Sequence, residues 1–255
     1  MTRTTPNDKA PVCTSFTVGQ HAGDGAGAEV RWHTLPMALE TELKCLVQPQ
    51  DLQRLLNHPL LAAPPRTERL WNTYFDTPDL SLSAERIAIR ERRVGDHILL
   101  TVKTAGHSVD GLSQRQEWEG PVPAGSLDFA AWVDDAALAA RLKALAPVLR
   151  PVFRTDFVRR SWVLDRPGAR VEVALDEGLI TAGHRADAPE GTHSEGILEL
   201  ELELLEGPPQ ALKDLADALQ RVGAPHDGEN WLQPCDRSKA QRGLDLFRRA
   251  TAGSA

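Results

Sequence analysis

Beyond residue 37, apolar and polar side chains alternate with a period of two in one segment after another, which is the spacing of a strand with one buried face. The alternation predicts strands over 38–47, 68–76, 86–94, 97–104, 113–120, 148–165, 169–177, 179–184 and 195–206. Helical spacing predicts helices over 49–57, opened by Pro49, over 126–146 in one or two pieces, over 208–222 and over 236–249. Gly95-Asp96 and Glu177-Gly178 read as hairpin turns. Asp165-Arg166-Pro167-Gly168 reads as a turn whose backbone angles Pro and Gly supply. Mostly antiparallel strands with a few peripheral helices make the expected fold mainly β (α+β), one sheet curled into a barrel of about eight strands, not a βαβ array. Residues 1–36, which include the Gly/Ala-rich GQHAGDGAGAEV, show no such periodicity and read as a disordered or extraneous tail. Gly23, Gly25 and Gly27 have no strand before them and no helix after, so a dinucleotide loop is not expected there. Met37 heads the patterned region and is the expected translation start, with residues 37–250 as the expected domain.

The side of each strand that is not apolar is ionic. Glu40, Glu42 and Lys44 share one face of 38–47, and Glu199, Glu201 and Glu203 alternate with leucines in 195–206. Taken alone, such a strand usually belongs to a two-layer sheet with a solvated acidic face. The pattern, however, repeats with mixed signs. Arg90 and Arg92 share a face, Lys103 lies on the face of Leu99 and Thr101, Arg115 on that of Glu117 and Glu119, Glu172 on that of Asp176, and Arg159 follows in FVRRSW. In a barrel these positions converge on one lumen. Buried unpaired charge costs several kcal/mol per group, so the lumen must be wet, internally paired or occupied by ions.

Composition narrows the chemistry. With 255 residues, 41% hydrophobic and 25% charged, the chain can bury a core and is not disordered throughout. A net charge of −7 lacks the basic excess of a duplex-binding protein. No apolar run reaches spanning length and no apolar leader precedes the domain. Cys13, Cys45 and Cys235 are too few and scattered for a disulfide framework or thiolate metal site, which fits a cytoplasmic protein. GxxxxGK[ST], HExxH and GxSxG do not occur. The histidines (His21, His33, His58, His97, His107, His184, His193, His226) read as surface or loop, and Trp71, Trp118 and Trp162 as packing outward under helices. In the candidate lumen nine acids (Glu40, Glu42, Glu117, Glu119, Glu172, Asp176, Glu199, Glu201, Glu203) face seven bases (Lys44, Arg90, Arg92, Lys103, Arg115, Arg159, Lys239). Two divalent cations would reverse that excess and suit the site to a polyanion. Carboxylates without His or Cys favour hard ions, Mg²⁺ or Mn²⁺, and clustered Arg and Lys favour phosphate oxygens.

Glu40-Thr41-Glu42-Leu43-Lys44 resembles the ExExK signature that opens CYTH-domain proteins, the triphosphate tunnel metalloenzymes. The likeness continues in order through NTYFDTPDLSL, IAIRERR, TVKTAG, GLSQRQEWE, RTDFVRRSW, VEVALDEG, ILELELELLEG and SKAQRG, over roughly 38–245. ExExK alone is a weak signal and the ordered series a strong one, most similar to the bacterial YgiF-type inorganic triphosphatases. The resemblance implies an eight-stranded antiparallel tunnel with a polar interior that hydrolyses tripolyphosphate to pyrophosphate and phosphate with Mg²⁺ or Mn²⁺, two ions. It implies Glu40, Glu42, Glu199 and Glu201 as metal ligands, Glu203 as a less certain one, and Lys44, Arg90, Arg92, Lys103, Arg115, Arg159 and Lys239 as the substrate clamp. Glu42, Asp176 and Lys103 are the implied catalytic residues. Thiamine or nucleoside triphosphate hydrolysis, class IV adenylyl cyclase chemistry, and non-catalytic polyphosphate binding remain alternatives. The expected partner is a small-molecule triphosphate, with no nucleic acid, no membrane and at most a second copy in a homodimer. The histidine-rich CHAD domain that many such proteins carry is not expected here.

Overall fold

The computed structural model describes residues 38–94, 97–123, 125–129, 132–182, 193–221 and 230–252. Among the described residues ten strands form: β1 (Ala38–Val47), β2 (Arg66–Asp76), β3 (Ala88–Val94), β4 (His97–Lys103), β5 (His107–Val109), β6 (Leu112–Val122), β7 (Arg150–Arg166), β8 (Ala169–Ala182), β9 (Ser194–Glu206) and β10 (Leu232–Pro234). Eight of them close into a barrel in the order β1-β9-β8-β7-β2-β3-β4-β6, with β6 returning to pair with β1 and every pairing antiparallel. The short β5 and β10 extend the edges of β6 and β1. Register then decides which charges meet. Glu40 lies opposite Arg115, Lys44 opposite Glu201, and Asp176 opposite both Arg159 and Glu199.

Five α-helices form among the described residues, α1 (Leu52–Leu56), α2 (Ser81–Ala84), α3 (Ala136–Leu145), α4 (Gln210–Arg221) and α5 (Lys239–Ala252); the first four cover the apolar outside, and α5 packs on the inner face of the barrel. Leu212, Leu215 and Leu219 form the inner stripe of α4 and pack on Leu43, Val173, Leu175, Leu200 and Leu202 of β1, β8 and β9. On the far side Leu142 of α3 and Leu82 of α2 join Ile89, Leu100, Val102 and Trp118. Burying each such side chain stabilises by roughly 1.5–3 kcal/mol, so the exterior supplies the hydrophobic free energy that an ordinary barrel draws from its interior. α5 lies against β7 and β8, where Leu246 meets Phe153, Phe157, Ile180 and Ile197. Its Gly243 is pressed on Phe153, leaving no room for a Cβ.

The strands and helices expected from the sequence are present with shifted ends, and four local readings are corrected. β8 runs unbroken from Ala169 to Ala182, so Glu177-Gly178 is no hairpin. A Cβ on Gly178 would stand 2.2 Å from the Asp156 carbonyl oxygen and 2.5 Å from the Phe157 Cα, so the glycine serves close strand approach. The helix expected over 126–146 is reduced to α3, because Asp135 caps it by accepting the N–H groups of Ala137 and Leu138 at 3.0 Å each. Trp118 and Trp162 pack outward as expected, but Trp71 is 48% exposed, with the Arg69 guanidinium 4.8 Å from its ring centroid. His58 is buried, with Nδ1 accepting the Leu60 N–H. An unanticipated hairpin joins β5 to β6 at Asp110-Gly111, both residues with positive φ (52° and 80°). The tail, Met37, the Gly95-Asp96 turn, His21, His33, His184 and His226 lie outside the described residues.

Replacing Gly178 by Ala should cost about 1–3 kcal/mol through overpacking between β7 and β8. A urea midpoint measurement checks it, and an unchanged midpoint would contradict the close approach.

Candidate active site

The closed sheet turns Glu40, Glu42 and Lys44 of β1 inward, and all three are buried. Two connected ion networks fill the lumen. In the first, Glu40 accepts from Lys103 Nζ at 2.7 Å and Arg115 Nε at 2.6 Å, while Arg115 Nη2 reaches Glu42 at 2.9 Å. Lys103 also lies 3.0 Å from Glu117. Arg90 Nη2 donates to Glu119 at 3.2 Å and to Thr101 Oγ1 at 3.0 Å, and the Thr101 hydroxyl donates to Glu119 at 2.6 Å. Lys44 is 3.9 Å from Glu42.

The second network is built on β7, β8, β9 and α5. Arg159 grips Asp176 with two hydrogen bonds of 2.7 Å and Glu201 with one of 2.6 Å. Lys239, in the first turn of α5, reaches Asp176 at 2.7 Å and Glu201 at 2.9 Å, and also contacts Glu199. One turn on, Arg242 donates to Glu195 at 2.6 Å and Glu199 at 2.8 Å. Arg92 is held differently. Its Nε donates to Asn72 Oδ1 at 3.1 Å, and no carboxylate lies within 4.0 Å of it among the described residues.

Burial opposes ionisation of Glu40, yet Lys103 and Arg115 override it and hold its carboxyl far below the usual range. Burial likewise opposes ionisation of Glu201, which Lys239 and Arg159 pull well down. Elsewhere acids outnumber their bases. Burial and then Glu40 push Glu117 up to about 7. Burial followed by Glu40, Glu117 and Glu172 pushes Glu203 up to about 8.

Every residue expected in the lumen lies on its inner face, Glu172 opposite Glu203 included. The four expected metal ligands, however, do not form a single cluster. Glu199 and Glu201 group with Asp176, one carboxylate oxygen from each lying within 4.8 Å of the others, whereas Glu40 and Glu42 are gathered by Arg115. The Lys239 ammonium lies at the three-carboxylate focus, a position that therefore already attracts a cation. The donors are all carboxylate oxygens, so the residues fit a hard divalent ion.

Glu42, Lys44, Lys103 and Arg115 open into a cavity of about 410 Å³ that continues past Tyr74, Phe153 and Leu244 towards α5. Arg242, Glu195, Asn72 and Thr155 escaped the sequence reading. The spacing Lys239-x-x-Arg242 on one helix face was the available signal for the second arginine.

A closed antiparallel barrel with an ionic lumen and a greasy exterior defines a tunnel-type protein. Residues 38–228 match the sequence profile of the CYTH domain, and the chain belongs to that family. It is similar to a curated inorganic triphosphatase of Haemophilus influenzae, 30% identical over 226 residues that make up 82% of this chain and 55% of the relative. The chain thus spans about half the length of that relative. Among solved structures, a candidate adenylyl cyclase of Hippeastrum with a dominant triphosphatase activity superposes with a TM-score of 0.53 at 18% identity, over 82% of this chain and 95% of that one. At that identity the likeness speaks for the fold. No described helix is long and apolar enough to cross a membrane.

The raised Glu117 pKa carries a pH signature. The folded protein holds this proton more tightly than the unfolded chain, whose carboxyl has the ordinary value of 4.5. The stabilising contribution is therefore present below 4.5 and lost as pH rises through about 7, with a slope of at most about 1.4 kcal/mol per pH unit. In EDTA, the wild-type urea midpoint should fall between about pH 5 and about pH 7.5 more steeply than that of Glu117→Gln. Parallel curves would refute the shift.

Proposed function

We propose that this domain, residues 37–250, is a cytoplasmic, metal-dependent triphosphatase that hydrolyses inorganic triphosphate to pyrophosphate and phosphate inside the barrel. The observation that carries the reading is the enclosed lumen, in which guanidinium and ammonium groups converge from five strands and one helix onto a space bounded by carboxylates. The similarity to an inorganic triphosphatase supports it. Two ions, Mg²⁺ or Mn²⁺, held by Glu40, Glu42, Glu199 and Glu201 with Asp176 beside them, would supply Lewis acidity towards phosphate oxygens and lower the pKa of bound water.

The chain's own groups do the rest. Lys44, Arg90, Arg92, Lys103, Arg115, Arg159 and Lys239 offset the charge of the bound triphosphate and of the loose transition state. Water adds to the terminal phosphorus, the bridging P–O bond breaks, and pyrophosphate leaves. Glu42, at the cavity wall and oriented by Arg115 Nη2 and Ser113 Oγ, takes the proton of the attacking water. Asp176 acts through Arg159 and Lys239, which it fixes in place. The substrate is the expected partner, with no nucleic acid or membrane and at most a second copy of the chain.

The cavity beyond Lys103 favours a second reading. Its apolar far wall of Tyr74, Phe153 and Leu244 could accommodate an organic group attached to the triphosphate, as in a thiamine or nucleoside triphosphatase or an adenylyl cyclase.

Phosphate release from tripolyphosphate, ATP and thiamine triphosphate, each with Mg²⁺ and with Mn²⁺, separates these readings. Tripolyphosphate should be turned over fastest, and the absence of turnover with all three substrates would favour a non-catalytic anion binder. Glu42→Gln and Glu201→Gln should each abolish turnover while leaving the circular dichroism spectrum unchanged, whereas Arg90→Ala should raise KM and lower kcat together, since its contact tightens in the transition state. Full activity in either glutamine variant would count against the carboxylate assignment.

A further inference from the structure

Three residues on adjacent strands form a row across the barrel wall. Asn72 of β2 lies in register with Arg92 of β3 on one side and Thr155 of β7 on the other. Asn72 and Thr155 are 2% and 1% exposed. The Asn72 amide nitrogen donates to Thr155 Oγ1 at 2.9 Å, and its oxygen accepts from Arg92 Nε at 3.1 Å. The amide is therefore committed on both sides, and its orientation is fixed by the row.

Arg92 is the exception among the lumen cations. Lys44, Arg90, Lys103, Arg115, Arg159, Lys239 and Arg242 each have a carboxylate within 4.0 Å. An anion that binds to them must compete with that carboxylate. Arg92 has only the neutral amide, attached at Nε, and its two terminal nitrogens carry no hydrogen bond to a described residue. A guanidinium held by Nε presents its terminal N–H groups as a fork suited to two phosphate oxygens. Burial and the neighbouring Arg90 and Arg159 charges also press Arg92 towards its neutral form. An arriving anion would relieve that repulsion.

We propose that Asn72 is the positioning residue of the tunnel, aiming Arg92 at the phosphoryl group without neutralising it, so that Arg92 is the cation an incoming polyphosphate engages at least cost. The proposal rests on the triphosphatase reading for the identity of the anion, and on the hydrogen-bonded row for the geometry. Asparagine suits the task because it is isosteric with aspartate yet uncharged. An aspartate would hold the same geometry and cancel the charge, and an alanine would let Arg92 swing towards Glu119, whose charge already acts on it.

The test is calorimetric titration of tripolyphosphate in EDTA into wild type, Asn72→Asp, Asn72→Ala, Arg92→Ala and the Asn72→Asp/Arg92→Ala double variant. Loss of a charged hydrogen-bonding partner should weaken binding roughly ten- to hundredfold in each single variant, and the double variant should bind no more weakly than Arg92→Ala. Wild-type affinity in Asn72→Asp, or additive losses in the double variant, would overturn the proposal. Asn72→Asp keeps the shape of the side chain and covers the case in which the alanine variant does not fold. The row is read separately by the ¹⁵N-labelled Arg92 Nε–H resonance, which should exchange slowly with solvent in wild type and quickly in Asn72→Ala. Fast exchange in wild type would remove the positioning role whatever the tunnel binds. Slow exchange together with no tripolyphosphate binding by wild type would sink the triphosphate reading, and with it the role towards polyphosphate.

Discussion

Taking a carboxylate or an ammonium out of water costs several kcal/mol per ion even after the protein relaxes, and this barrel does so repeatedly along one axis. The cost is tolerable only because closure in antiparallel register brings opposite charges to hydrogen-bond distance. Arg115 sits across from Glu40, Arg159 across from Asp176, and Lys44 across from Glu201. A one-residue slip in any of these pairings would turn the ionic side of a strand outward and its leucines inward. The ion pairs therefore depend on the register, while the hydrophobic stabilisation comes from the outer clusters and from the apolar packing under α5. Where α3 and α4 cover the sheet, the outward residues are leucine, valine and tryptophan. On the outer face of β2, β7 and β8, pairs such as Arg69–Asp156 and Arg160–Glu177 stand among the outward positions, and Trp71 and Leu179 are left half-exposed.

An internally paired lumen is also a preorganised one. Groups that would face a highly charged anion need not reorient when it arrives, because the network fixed them during folding. The pairing has a consequence for affinity, since a cation already satisfied by a carboxylate gains less from a phosphate than one that is not. Arg92, tethered through a neutral amide, escapes that compromise. α5 adds a second kind of control. It sends Lys239 and Arg242 into the acidic cluster of β8 and β9, so the packing of one helix on the barrel sets the charge balance at the cluster.

Period-two alternation made the barrel and its inner face legible, because each strand with ions on one side needed a common lumen to hide them. The limits of that reading are local. Glu177-Gly178 carries the composition of a turn, yet a glycine is equally demanded where two strands press together, and only the neighbouring backbone at Asp156 and Phe157 distinguishes the two. Asp110-Gly111 was an equally good turn signal in a stretch too short to read as a hairpin. The apolar spacing before Ala136 mimics a helix, but Phe129, Trp132 and Val133 fill the core from irregular backbone, and Asp135 delays the helix start. Asn72 was invisible because a lone amide in a strand announces nothing until its two neighbours across the sheet are known.

The abundance of acids in the lumen does not by itself argue for a metal ion, because most of them are occupied in orienting guanidinium groups, as Asp176 does for Arg159 and Glu119 for Arg90. A purely anion-binding barrel would need such acids too, to space its cations and keep them folded in place. What distinguishes a cation-seeking site is acid in excess of that duty. Glu117 and Glu203 are pushed up to about 7 and about 8 chiefly by burial and by other carboxylates, which means that the bases within reach do not fully neutralise them. At the other cluster the Lys239 ammonium gathers Asp176, Glu199 and Glu201 around one point. Both places would gain from a positive charge that the chain does not itself supply in full, and the all-oxygen donor set selects a hard one. An added hard cation would therefore relieve the burial and mutual repulsion that raise Glu117 and Glu203.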